Sequence, residues 1–278
     1  MASLIRLSLC LLVFSAVSLM PVAAQASDRD RIKAFLNVTG FDVALKSIGL
    51  SARHAPLMLG MEASDFGAAW SRLSDRIFDP QLLQEMAIEM LEETLSDDLL
   101  AHAAGFYASE LGQRLVEVEN ASHLHPDDDL KRREGEVLVE AYGSGPGSRT
   151  ALLDEMNDAV DGTGQALRAV QEVQLRFLLA ASDAGVLGYE IDEAALRAFL
   201  REDEDDLHDR LRLSGLYHAA YTYQTLSDAD LRAYRDALST PEMQRVYELM
   251  NAVQHEIRIN RYEALAAALA GLTGGEEL

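Results

Sequence analysis

Apolar residues recur along this chain at intervals of three and four, the spacing of one face of a helix. The clearest run follows "TLSDD": Leu99, Leu100, Ala103, Phe106 and Tyr107 share a stripe. Ser96 precedes it as an N-cap, with Asp97 and Asp98 at the positive end of the helix dipole. The pattern then restarts at Ser109, a second N-cap, followed by Glu110 and the stripe Leu111, Leu115, Val118. The stretch "FYASELGQRL" therefore reads as a joint between two helices. Phe106 and Tyr107 seal it from inside, and Gly112 allows the helices to approach closely. Elsewhere Ala, Leu, Glu and Arg dominate, and β-branched residues seldom alternate with polar ones. The one serious strand candidate, "GEVLVEAY", continues the acid-first, base-later run "DDDLKRRE" and is read as the same helix. The expected fold class is all-α.

The clearest interruption is "GSGPGSR", Gly143 to Arg149, which predicts a linker. The two sides of it are related. "TLSDDLLAHAAGFYASELGQRLVEVENA" from Thr94 aligns without a gap to "TLSDADLRAYRDALSTPEMQRVYELMNA" from Thr225, with ten identities at a constant offset of 131. Ser227 with Asp230 resembles a capping box. Thr240 before Pro241 places a cap directly ahead of a proline at the first helical position, and Thr240 matches Ser109. A duplicated helix–cap–helix motif is expected, in units over 27–142 and 150–278, the second with a loose C-terminal "GLTGGEEL".

Residues 1–26 change the picture of where the chain works. Arg6 supplies a positive start, Leu7 to Met20 is apolar, and "VAAQA" offers cleavage after Ala24 or Ala26, the form of a secretory signal peptide. The apolar run is shorter than the ~20 residues of a membrane span, and no later segment resembles one. Periplasmic localisation is expected. The single cysteine, Cys10, leaves with this segment, so stability must come from a packed core. The net charge of −22 opposes binding to nucleic acid or anionic lipid. Basic partners and loosely held divalent cations stay compatible with it.

The form "LSD-x-x-L … FY-x-S-x-x-G-Q-R" behind a signal peptide resembles a secreted proteobacterial family catalogued as a domain of unknown function, number twenty fifty-nine. Members typically carry proline after the serine or threonine. The first copy has Glu110 there and the second keeps Pro241. The second copy departs at Ala237, Leu238 and Met243. The resemblance implies an all-helical exported protein and carries over no catalytic residue.

Candidate chemistry is sparse. Ser109 as a nucleophile needs a base and an oxyanion pocket, but its surroundings are not G-x-S-x-G and no strand leads into it. "SHLHPDDD" is the most metal-like stretch. His123, His125 and Asp127 are candidate ligands for zinc or another divalent ion, against a plainer reading as helix-end charges. "REDEDDLHDR" and "NDAVDGTG" lack the spacing of a calcium loop. His54, Met58 and Met61 raise copper(I), although Pro56 and Gly60 disfavour a regular helix there. Tyr217 and Tyr221 share a helical face beside His218, as a pocket lining or a core seam. With no catalytic constellation and no implied cofactor, the expected function is a non-enzymatic interaction or envelope-associated module with a protein partner. The alternative is a periplasmic small-ligand or divalent-metal binder.

Overall fold

A computed structural model describes residues 28–161 and 164–273. The expected signal peptide lies outside the described residues, as does the tail past Thr273. Every regular element among the described residues is helical. The first half contains α1 (Asp28–Val38), α2 (Phe41–Ala52), α3 (Gly67–Ile77), α4 (Pro80–Thr94), α5 (Asp97–Tyr107), α6 (Glu110–His123) and α7 (Asp128–Tyr142). The second contains α8 (Arg149–Asp161), α9 (Gln165–Asp183), α10 (Glu193–Glu202), α11 (Glu204–Thr222), α12 (Asp228–Leu238) and α13 (Pro241–Thr273). "GEVLVEAY" is indeed the end of α7. The segment from Ala55 to Leu59 is a 3-10 turn rather than an α-helix, as Pro56 and Gly60 require.

Local chemistry sets the boundaries. Asp79 caps α4 by accepting from the Gln81 and Leu82 N–H groups, with Pro80 at the first position, where its missing N–H costs nothing. The Ser96 hydroxyl accepts from Leu99 N–H, and Ser109 from Gly112 N–H at 3.1 Å. Ser227 and Asp230 form the full capping box, and Thr240 accepts from Met243 N–H at 3.3 Å. Removing the cap in Ser109→Ala is expected to cost about 1 kcal/mol, and Ser109→Gly only a few tenths. Urea unfolding of the two variants checks this. Equal losses would show that the hydroxyl does not cap.

Residues 143–148 are irregular, and Arg149, expected to end the linker, already opens α8. Gly143, Gly145 and Gly147 all take positive φ, which residues with a Cβ rarely adopt. It is nevertheless anchored at its end. Arg149 pairs with Asp228, donates to the Tyr223 and Leu226 carbonyls at 2.7 and 2.9 Å, and stacks over the Tyr142 ring.

The halves on either side of the linker share one core. A single buried apolar cluster runs from Ile32 to Leu269. Its spine is α13, 33 residues and about 50 Å long. Met243, Val246, Met250, Val253 and Ile257 are buried at alternating three- and four-residue spacing, which keeps them on one line along the helix. This helix lies along α9, touches α8 and also reaches α2, α3, α4 and α5, deep in the first half. Gly271 to Thr273, expected to be loose, belong to its last turn. A second long pairing joins α7 to α11. In it Gly135 is buried with its Cα against the Tyr217 backbone, so close that a Cβ would sit 2.0 Å from the Tyr217 carbonyl oxygen.

Candidate ligand cleft

The stripe of α6 runs Leu111, Leu115 and then, four residues on, Glu119. Helical geometry thus turns a carboxylate toward the interior. Four tyrosines from four other elements meet it. Tyr223, at the end of α11, donates to Glu119 Oε1 at 2.7 Å, and Tyr234 of α12 donates to the same oxygen at 3.0 Å. The Tyr234 hydroxyl lies 3.0 Å from that of Tyr107 (α5) and 2.9 Å from that of Tyr247 (α13). Tyr107 and Tyr247 are also hydrogen bonded to each other. Each phenol has one proton to give. Since Tyr234 spends its own on Glu119, the chain Tyr247 to Tyr107 to Tyr234 to Glu119 satisfies every hydroxyl. Phe106 stacks on Tyr234 with ring centroids 5.9 Å apart, which fixes the ring that carries the central hydroxyl.

Burial dominates the electrostatics. Desolvation raises the Glu119 carboxyl to about 7, against hydrogen bonds from Tyr223 and Tyr234 that lower it. Desolvation, followed by the nearby Glu119 charge, pushes the Tyr223, Tyr234 and Tyr247 phenols up, and Tyr107 rises as well. All four phenols stay protonated at neutral pH and act as donors.

This network forms one wall of a cleft of about 600 Å³ between α6, α7, α8 and α11, a size suited to a small organic molecule. Tyr107 lies behind it, on a smaller cavity of about 120 Å³. Two groups facing the cleft lack protein partners. Glu119 Oε2 accepts no hydrogen bond among the described residues, because both tyrosines use Oε1. The Asn157 amide nitrogen of α8 is buried without an acceptor. Leaving the buried Asn157 amide unpaired costs about 1–3 kcal/mol. Also on the lining, Lys131 donates to the Ser122 carbonyl at 3.0 Å and pairs with Asp128. Desolvation, with Lys131 adding, lowers the pKa of both His123 and His218 and favours neutral imidazoles.

Residues 81–123 match the family described as an uncharacterized protein conserved in bacteria (DUF2059). No curated protein and no solved structure matches the chain. The matched segment spans α4, α5 and α6. It therefore contains Phe106, Tyr107, Ser109, Gly112 and Glu119, while the corresponding stretch with Thr240 and Pro241 lies beyond it.

The residues singled out in the sequence separate. Ser109 and Thr240 cap helices, and Gly112 sits where a Cβ would lie 2.4 Å from the Phe106 carbonyl oxygen. Tyr107 joins the phenol network as well as the joint. His123, His125 and Asp127 form no ligand set, and no cluster of three or more His, Cys, Asp or Glu suited to a metal occurs among the described residues. His123 opens onto the cleft, the His125 ring accepts from the Asp127 N–H, and the Asp127 carboxylate caps α7 through Leu130 N–H. Tyr217 and Tyr221 do not line the cleft: the Tyr217 backbone packs on Gly135, and the Tyr221 ring meets the His125 ring. The opposite side of α11 lines it with Gly215, His218, Thr222 and Tyr223. Sequence reading missed Glu119, Asn157, Tyr223, Tyr234 and Tyr247. The one local signal was Glu119, a charge continuing an apolar stripe.

Proposed function

We propose that this chain is an exported, non-enzymatic helical protein that binds a small hydroxyl-bearing molecule in the Glu119 cleft. The observation that carries the reading is the pair of unmet groups on one cleft, Glu119 Oε2, an acceptor once the carboxyl has ionised, and a donor at Asn157. A hydroxyl both donates and accepts, so it complements the two. The large apolar side chains left exposed, among them Leu57, Leu124, Val137 and Phe199, come from separate elements. The cleft gathers its polar groups in one place, which favours a ligand over an envelope protein partner. Export rests on the pattern of residues 1–26. Duplication is supported by α5 and α12, both of 11 residues, and by caps at Ser96, Ser227, Ser109 and Thr240 in one register.

The test is thermal unfolding of the purified protein against a panel of sugars and polyols. A true ligand at a hundred times its Kd stabilises by about 2.7 kcal/mol, and the gain is expected to vanish in Glu119→Gln and Asn157→Leu. Stabilisation that persists in both variants, or none across the panel, would overturn the reading.

A further inference from the structure

A second cavity, of about 730 Å³, lies between α9, α10 and α13 and shares the end of α8 with the Glu119 cleft. Although the chain carries a net charge of −22, four arginines line this cavity: Arg168, Arg197, Arg201 and Arg258. The acids beside them are already engaged. Both Asp161 oxygens accept the first N–H groups of α9, from Gln165 at 2.7 Å and Ala166 at 3.0 Å. Glu172 holds Arg176 at 2.7 Å and Arg197 at 3.2 Å.

Arg197 is thus ion-paired and Arg168 and Arg201 are exposed, whereas Arg258 is neither. It is half-buried, donates to Gln254 Oε1 at 3.1 Å, and has no salt bridge among the described residues. Beside it, His255 Nδ1 is buried without a partner. A half-buried cation without a counter-charge carries a desolvation cost, and arginine does not escape by releasing its proton. Around these groups Leu175, Leu200, Ala169 and Ala252 supply apolar wall.

We propose that this cavity binds a small organic anion, gripping its carboxylate or phosphate with Arg258 while the apolar wall holds its body. A guanidinium presents paired donors that match either oxyanion. Exposed Arg168 and Arg201 add attraction for an anion approaching a protein that otherwise repels it. This site is separate from the Glu119 cleft and asks for the opposite charge chemistry.

The probes are octanoate, octyl phosphate and 1-octanol, titrated calorimetrically into the purified protein at low ionic strength. Both anions are expected to bind, with octanol at least tenfold weaker. A tenfold preference between the anions tells carboxylate from phosphate. Arg258→Gln is expected to weaken both anions at least tenfold, and Arg258→Lys less. If Arg258→Gln does not fold, the exposed pair Arg168→Gln/Arg201→Gln decides, with an expected loss of threefold or more. Octanol binding within threefold of octanoate, no binding of either anion, or affinities unmoved in the folded variants would overturn the proposal.

Discussion

Replacing Gly135 with alanine is expected to destabilise the protein by about 2 kcal/mol, although glycine-to-alanine in a helix ordinarily stabilises. The new Cβ would lie 2.0, 2.6 and 3.0 Å from the carbonyl oxygen, carbonyl carbon and Cα of Tyr217. These are backbone atoms, so no rotamer change relieves the overlap, and α7 must move off α11. Overpacking of this kind costs about 1–3 kcal/mol or more, against roughly 1 kcal/mol gained in helix propensity. For a chain of this size the net loss corresponds to a fall in Tm of about 4–8 °C. Gly105, exposed in α5 with open space where a Cβ would point, is the control. Gly105→Ala is expected to raise stability by about 0.5–1 kcal/mol. Equal shifts of the two Tm values would refute the close packing of α7 on α11. That packing also holds Lys131 and Tyr223 on the lining of the cleft, so Gly135→Ala should weaken any ligand bound there.

The second large effect is a dependence of stability on pH that Glu119→Gln removes. Glu119 titrates near its ordinary 4.5 when unfolded and at about 7 when folded. Between these values the native state holds a proton that the unfolded state has released. Stability therefore falls as pH rises through this window and has lost its full share by about pH 8. The gap corresponds to about 3 kcal/mol. Glutamine keeps an acceptor for Tyr223 and Tyr234 and carries no charge. The variant should match the wild type near pH 4.5 and exceed it by about 2–3 kcal/mol at pH 8. The difference between the two Tm–pH curves isolates this group from the many surface carboxylates. Parallel curves from pH 4.5 to 8 would show that Glu119 ionises freely and that the phenols do not enclose it. A native proton held close to neutrality also means that ligand affinity at Oε2 should change over the same pH range.

The all-helical architecture is written in the chain at short range. Three- and four-residue spacing, the caps at Ser96, Ser109, Ser227 and Thr240, and the glycines after Tyr142 act within one or two turns, so they are readable residue by residue. Even the close approach at Gly112 follows from a joint between neighbouring helices. The cleft was not readable in this way. Glu119 and Tyr234 are 115 positions apart, and Tyr107 and Tyr234 are 127 apart. They meet only because α13 crosses into the first half and α11 lies against α7. Helix crossing, not spacing, also chose between near neighbours. It turned Tyr223 toward Glu119 and Tyr221 toward His125, and it left His123 on the cleft while Asp127 capped a helix. The sequence by itself determined the helices, most of their ends and the break at 143–148, because those depend on contacts within a few residues. Only the tertiary structure decided which polar groups share a cavity and which are left unpaired, because a hydrogen bond requires ångström-level placement of atoms that the chain order keeps far apart.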